Sequence, residues 1–456
     1  MDVFVRWRPL VGAESSGDGV GHETVASPLS TLDAVTVQRT HLDKPWKSTF
    51  AFSGVLFGAT SNASAYSAIV QPAVPHAVVT AGARASFFAY GHSGSGKTHT
   101  VIGYEDDDQE QDDSGPGLCL TAAEQLFHNI DAINNARGGM EEPPLAVALS
   151  VFELRHKDAF DLLNDGTQCH IREGPDGRVH VRGATETLPD GRVRVQPLSR
   201  LACSTVDDLR AALRQALSRR AVGTSSVHDQ SSRTHAVIEL EVVNAALTSA
   251  RAALIDRQSE LVPVGKRAAD VTIAEQARGV FKDEDGVYQP VPGYVADQAL
   301  LDAVGAEKAA FEARVAAAEA AVDEAYARYD GGDGRPCVGG KMVFVDLAGA
   351  EYQQENKRIL AGLAQTPAER REARQINTDL LALKEVMRAW ATRQPYVPYR
   401  SSPLTMVLRE AFADDDVRVR RRECSASMVV TVSPAEEQYL ATLNSLKYGS
   451  LMGTAK

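Results

Sequence analysis

The feature that most constrains this chain is the run Gly91-His92-Ser93-Gly94-Ser95-Gly96-Lys97-Thr98, placed directly after the apolar run Ala85-Ser86-Phe87-Phe88-Ala89-Tyr90. Together they fit a strand followed by G-x-x-x-x-G-K-[ST], a P-loop. Glycines at these places let successive backbone N–H groups converge on phosphate oxygens without Cβ clashes. The lysine reaches β- and γ-phosphates, and the threonine hydroxyl is offered to Mg²⁺. A Gly/Ser-rich surface turn is the bland alternative, and the match at every fixed position after a strand weighs against it. The segment predicts a strand–loop–helix unit that binds a nucleoside triphosphate.

Composition sets outer bounds. The chain has 456 residues, 44% of them hydrophobic, which suffices for a real core. Its 48 basic and 60 acidic side chains give a net charge of −12, which argues against a general nucleic-acid binder. Cys119, Cys169, Cys203, Cys337 and Cys424 are odd in number and form no C-x-x-C pair, so a reduced intracellular protein without a zinc site is expected. No long apolar run predicts a membrane span, and residue 3 already enters a strand pattern, so no signal peptide is expected.

Along the chain, strand-like runs alternate with helical ones. Val3–Pro9, 145–154, 234–243, 341–347 and 428–432 read as strands. Residues 66–79, 121–133, 206–219, 368–390, 402–412 and 435–448 read as helices, with Pro72 and Pro75 disturbing the first. The acidic tract 105–113 reads as a solvated loop. The pattern predicts an α/β fold of the P-loop NTPase type: a central mixed, mainly parallel β-sheet flanked by helices on both faces, in one large domain. Residues 244–335 differ in character and read as an insertion. Leu247, Leu254 and Leu261 recur at seven, and Leu301, Val304, Phe311, Val315 and Val322 fill the a and d positions of one heptad frame. Asp297 is placed to cap the second helix, and 263–292 reads as polar and turn-rich. A helical hairpin follows, either decorative or a partner-binding arm.

Two more segments supply what a triphosphatase needs around a γ-phosphate: Ser231-Ser232-Arg233-Thr234-His235 and Asp346-Leu347-Ala348-Gly349-Ala350-Glu351. The first offers hydroxyls, the second a glycine N–H and carboxylates. Each alone is weak. In order and with their flanks they resemble the kinesin motor domain. Arg6-Trp7-Arg8-Pro9 resembles R-x-R-P, 231–235 resembles switch I (S-S-R-S-H) and 346–351 resembles switch II (D-L-A-G-S-E). Val181–Glu186, Ile376–Leu380 (I-N-K-S-L), Val397–Thr405 (V-P-Y-R-D-S-K-L-T), Val432–Pro434 and Thr442–Tyr448 extend the resemblance over most of the chain.

That resemblance implies roles. Arg6, Arg8 and Pro9 would line adenine and ribose, with His99 stacking from the other side. Gly91, His92, Ser93, Gly94, Ser95, Gly96, Lys97 and Thr98 would hold the phosphates, with Arg220 on the phosphate side. Thr98 and Ser232 would ligate Mg²⁺, with Asp346 behind a water. Ser231 and the backbone of Gly349 would sense the γ-phosphate, and Arg233 and Glu351 would form the salt bridge that closes the switches. The implied function is an ATP-hydrolysing microtubule motor with ATP/ADP and Mg²⁺, in the cytoplasm on the cytoskeleton. The alternative is a kinesin-like microtubule-binding module with weak or no ATP turnover. A P-loop enzyme of another class, such as a small-molecule kinase, fits the paired switch segments poorly. Microtubules (tubulin) are the expected partner, with no nucleic acid and no membrane. Ending at Lys456, the chain is expected to be a monomer, with dimerisation left to a stalk beyond it.

The chain departs from that family in places. His228 stands where switch I usually has asparagine, and Ala350 where switch II has serine. Pro403 replaces a lysine expected to face the acidic microtubule. Arg400, Arg409, Lys357, Arg358, Arg370, Arg371, Arg374 and the run Arg418, Arg420, Arg421, Arg422 are candidate replacements for that charge.

Overall fold

The computed structural model describes residues 1–10, 20–28, 30–39, 44–71, 73–103, 115–136, 143–174, 178–220, 233–329, 337–350, 367–412 and 424–454. The expectations for 105–113, His228, Ser231, Ser232, Glu351, Lys357, Arg358, Arg418, Arg420, Arg421 and Arg422 lie outside the described residues, as does the side chain of Arg370. The chain divides into two compact units. The first is Met1–Val181, Leu198–Val243 and Asp330–Lys456; the second is Arg182–Pro197 and Asn244–Tyr329.

The first unit is built on a mixed sheet. In spatial order its strands are Thr167–Glu173, Asp158–Asp161, Leu145–Arg155, His235–Asn244, Lys341–Asp346, Arg84–Tyr90, Cys424–Val432, Asp2–Trp7 and Gly54–Leu56. The last five are mutually parallel, so all five end at the same edge. Asp346 lies opposite Ala89, Val430 opposite Tyr90, and Trp7 opposite Val432. The strand His235–Asn244 runs antiparallel to Lys341–Asp346, with Ala236 opposite Asp346, so its N-terminal end reaches that edge too. In open α/β sheets this carboxyl edge is where ligands bind. The topology alone therefore gathers the R-x-R-P and P-loop segments, the described residues 233–235 and the D-x-x-G segment.

Strand periodicity builds the layers on either side. Phe88 and Tyr90 point to one face, where they stack on Phe412 and Tyr448 at 5.5 and 4.1 Å. Phe87 points the other way and stacks on Phe344 of the adjacent strand at 5.2 Å. Helices Pro367–Ala391, Pro403–Val407, Arg409–Phe412 and Tyr439–Gly453 supply one layer. Helices Asn62–Ile69, Ala73–Thr80, Leu118–Ala136 and Val206–Ser218 pack together and against the sheet. The single helix expected over 66–79 is two: Gln71 adopts φ 61° just before Pro72, which has no N–H to continue the first helix. The helix expected over 402–412 is likewise two short ones. Ser402 and Thr405 form a capping box there, with Pro403 in the first turn.

In the second unit, helices Ala245–Arg278 and Gln298–Arg328 pack on one another. Leu247 of the first and Val304 and Val322 of the second are buried, and Arg314 pairs with Glu260 across the pair at 2.7 Å. Asn244 and Asp297 cap the two helices by accepting from the N–H groups of Leu247 and Leu300. The stretch 263–292 is not turn-rich throughout, contrary to the sequence reading. The first helix runs through Pro263 to Arg278, and only then does a hairpin form between Val280–Lys282 and Tyr288–Pro290. One missing donor is outweighed by a 34-residue helix with a partner along its length.

Candidate functional site

The loop after Tyr90 is shaped by backbone demands that only glycine meets. Gly94 has φ 76°, and Gly96 has φ 96° as the cap of helix Lys97–Val101. A Cβ on Gly91 would collide with the carbonyl oxygen of Thr431. Ser95 Oγ lies 2.7 Å from Thr431 Oγ1, tying the loop to the neighbouring strand. On the other side the Ala350 N–H donates to the Gly91 carbonyl at 3.1 Å. A Cβ on Gly349 would stand 2.8 Å from the Ser93 nitrogen, so switch II and the P-loop touch backbone to backbone. Lys97 is buried, and its Nζ donates to the His92 carbonyl at 2.9 Å.

Asp346 is the electrostatic centre. It ends its strand and is buried, with two groups converging on one of its oxygens. Thr98 Oγ1 donates to its Oδ2 at 2.8 Å. The buried Arg220 guanidinium pairs with the same oxygen at 2.5 Å and also donates to the Thr234 carbonyl at 2.9 Å. The Oδ1 of Asp346 is buried and has no hydrogen-bond partner among the described residues. A buried carboxylate oxygen left open beside a threonine hydroxyl is the hard-oxygen environment that suits Mg²⁺. Among the described residues no group of three His, Cys, Asp or Glu forms a protein cage. A magnesium ion held mainly by phosphates and one or two side chains needs none.

His235 sits beside this centre. Its Nδ1 accepts the Ala348 N–H at 3.0 Å. Burial first, then the charges of Arg220 and Lys97, lower its pKa to about 3 against the opposing pull of Asp346. It is therefore a fixed neutral acceptor that couples the start of its strand to the D-x-x-G segment.

The R-x-R-P residues lie at the same edge. Arg6 is buried, donates to Thr100 Oγ1 at 3.1 Å and to the Thr60 carbonyl at 3.2 Å, and is lowered by burial to about 10. Arg8 reaches Gln438 Oε1 at 3.3 Å, and Pro9 is exposed against Gly58. His99 is half-buried, and its carbonyl accepts from the buried Asn62 at 3.4 Å. Of the sequence-derived site residues, Arg6, Arg8, Pro9, Gly91 to His99, Arg220, Arg233, Asp346 and Gly349 are described and come together at one edge. Sequence reasoning missed Thr431, Gln438 and Asn62, which belong to no recognisable motif. Arg400 and Arg409, expected to offset Pro403, both pair with Glu173, at 2.6 and 3.5 Å.

Fold and site together define a P-loop NTPase with switch segments. The chain belongs to the kinesin motor domain family, whose sequence model matches residues 6–264 and 321–454. It is similar to kinesin-like protein KIF25 of Macaca fascicularis, 26% identical over 367 residues, covering 79% of this chain and 50% of that protein. It is similar to kinesin-like protein Klp61F of Drosophila melanogaster, 24% identical over 454 residues, covering 98% of this chain and 31% of that one. The chain thus spans half or less of these relatives. Among solved structures, the motor domain of the Kar3-like kinesin from Ashbya gossypii superposes with a TM-score of 0.55 at 16% identity, covering 99% and 98% of the two chains. The motor and motor homology domain of Kar3Vik1 superposes at 0.58 and 16%, covering 99% and 84%. The family binds nucleotide. Among the described residues no helix is long and apolar enough to cross a membrane.

Proposed function

We propose that this chain is an ATP-hydrolysing, microtubule-based motor domain that takes ATP/ADP and Mg²⁺ and works on the cytoskeleton. In this reading residues 1–456 form one motor domain, interrupted by an insertion over 244–335. The observation that carries the proposal is Asp346. One of its oxygens is shared by Thr98 and Arg220, and the other is buried and without a partner among the described residues, at the start of the P-loop helix.

The residues divide the work. Lys97 exchanges the His92 carbonyl for phosphate oxygens. The loop N–H groups over 91–98 surround the β-phosphate. Thr98, Ser232 and, through water, Asp346 would hold Mg²⁺, which when bound neutralises charge between the β- and γ-phosphates. The Gly349 N–H and Ser231 report the γ-phosphate, and Arg233 with Glu351 closes the site around the attacking water. Arg6, Arg8, Pro9 and His99 hold the base and ribose. Arg220 keeps the Asp346 carboxylate aimed. Catalysis is positioning plus electrostatics, without a covalent intermediate.

The test is nucleotide binding and basal ATP turnover for the wild type and Lys97→Ala, with Mg²⁺. The wild type should bind and hydrolyse ATP, and Lys97→Ala should lose turnover by about 100-fold or more. Wild-type binding with no turnover supports the binding-module reading instead. No binding at all contradicts both.

A further inference from the structure

A second polar cleft lies behind the site in the first unit. Arg155 and His156 at the end of one strand, Arg233 and His235 at the start of another, and Gln375 and Asp379 of helix Pro367–Ala391 line it. Asp379 is the unusual member: a carboxylate only 4% exposed, on the motif stretch where the family pattern has serine. Gln375 Nε2 donates to its Oδ1 at 3.1 Å, and the Ser402 side chain also donates to it. Ser402 is itself the cap of helix Pro403–Val407. Asp379 thus joins two helices at the cleft wall. Across the cleft stands His235, whose other ring nitrogen, Nε2, is buried and has no partner among the described residues. Its Nδ1 holds Ala348, two residues from the strand end at Asp346.

We propose that Asp379 is a positioning residue for nucleotide turnover: its carboxylate fixes the helical wall of the cleft that Arg233 and His235 also line, and so fixes where His235 holds the 346–350 segment against the P-loop. The proposal rests on the ATPase reading above. Asp379 touches neither nucleotide nor metal in this scheme and acts only through the cleft.

The protonation state of Asp379 gives this role a signature. Burial raises its pKa to about 6, opposed by the donors Gln375 and Ser402 and by His156. The charged and titratable groups that face it are His156 and Arg155 from one strand end and Arg233 and His235 from the other. Arg155 is engaged by both Glu153 oxygens, each at 2.9 Å. His235 stays neutral down to about 3. Segment 402–407 brings hydroxyls but no charge. Below about pH 6 Asp379 takes up a proton and must donate where it had accepted, so the wall loosens.

The experiment measures kcat and KM for ATP from pH 5.5 to 8 in the wild type, Asp379→Asn and Ser402→Ala. The wild type should show an acid limb in kcat near pH 6. Asp379→Asn should remove that limb and lower kcat about fivefold at pH 7.5, with KM changed less than about twofold. Ser402→Ala removes a donor to the carboxylate, so it should move the limb to higher pH. This arm stands if Asp379→Asn fails to fold, because a merely structural cap would not shift a titration. Turnover with the same pH profile in all folded variants overturns this inference alone. Absence of wild-type turnover at every pH overturns it together with the ATPase reading.

Discussion

At Gly91 a single methyl group decides whether the phosphate loop closes. A Cβ there has no room beside the Thr431 carbonyl and Ser95 Oγ. Gly91→Ala should destabilise the fold by about 2–4 kcal/mol, read from denaturant midpoints, because backbone rather than a flexible side chain must give way. His235 sets a second expectation. Its folded pKa of about 3 lies below the ordinary histidine value. The unfolded chain therefore binds more protons between pH 3 and about 6.5, and stability falls as pH drops through that window by up to about 1.4 kcal/mol per unit. His235→Asn keeps an acceptor for the Ala348 N–H. It should flatten the stability difference between pH 7.5 and 5; an unchanged difference would mean that another group carries it. At this scale the sequence was most informative where chemistry forces residue type and spacing together. Lys97, Thr98, Asp346 and Gly349 were legible for that reason. Thr431 was not, because its contact with Ser95 spans 336 residues and hydroxyl pairs have no motif.

Between elements, the decisive fact is direction. Five parallel strands ending at one edge bring the R-x-R-P, P-loop and D-x-x-G motifs together, and no local pattern states that directly. The alternation of strands and helices made the sheet itself readable. Hydrophobic period and caps located most helices, including the Asp297 cap. The misreadings fell at prolines. The stretch 66–79, read as one helix disturbed at Pro72 and Pro75, belongs to two, with Gln71 at positive φ between them, while the stretch from Pro263 was read as turns and begins as helix. Proline weakens a helix locally, but whether the helix survives depends on tertiary packing that the local sequence does not display. Pro263→Ala restores the missing donor. It should raise stability by about 1–3 kcal/mol where the helix tolerates straightening. Thermal unfolding followed at 222 nm checks this, and a lowered midpoint would show that a bend at Pro263 is required.

For the whole molecule, the proposed motor activity raises the question of which surface would grip a microtubule. Pro403 is not an incidental loss of charge, since it begins a helix with a complete capping box. The cations nearest to it in sequence, Arg400 and Arg409, are both drawn to Glu173. Removing that acid should release them toward an acidic surface. Glu173→Gln should tighten co-sedimentation with microtubules and steepen its salt dependence. An affinity and a salt dependence unchanged from the wild type would show that Arg400 and Arg409 do not make the contact.

The most direct test of the central claim is ATP turnover by the wild-type chain with and without microtubules. The arrangement of Asp346, Arg220, Thr98 and Lys97 around one phosphate site, in a member of the kinesin motor domain family, predicts measurable basal hydrolysis that rises several-fold with microtubules. Turnover that does not change with microtubule concentration would contradict it.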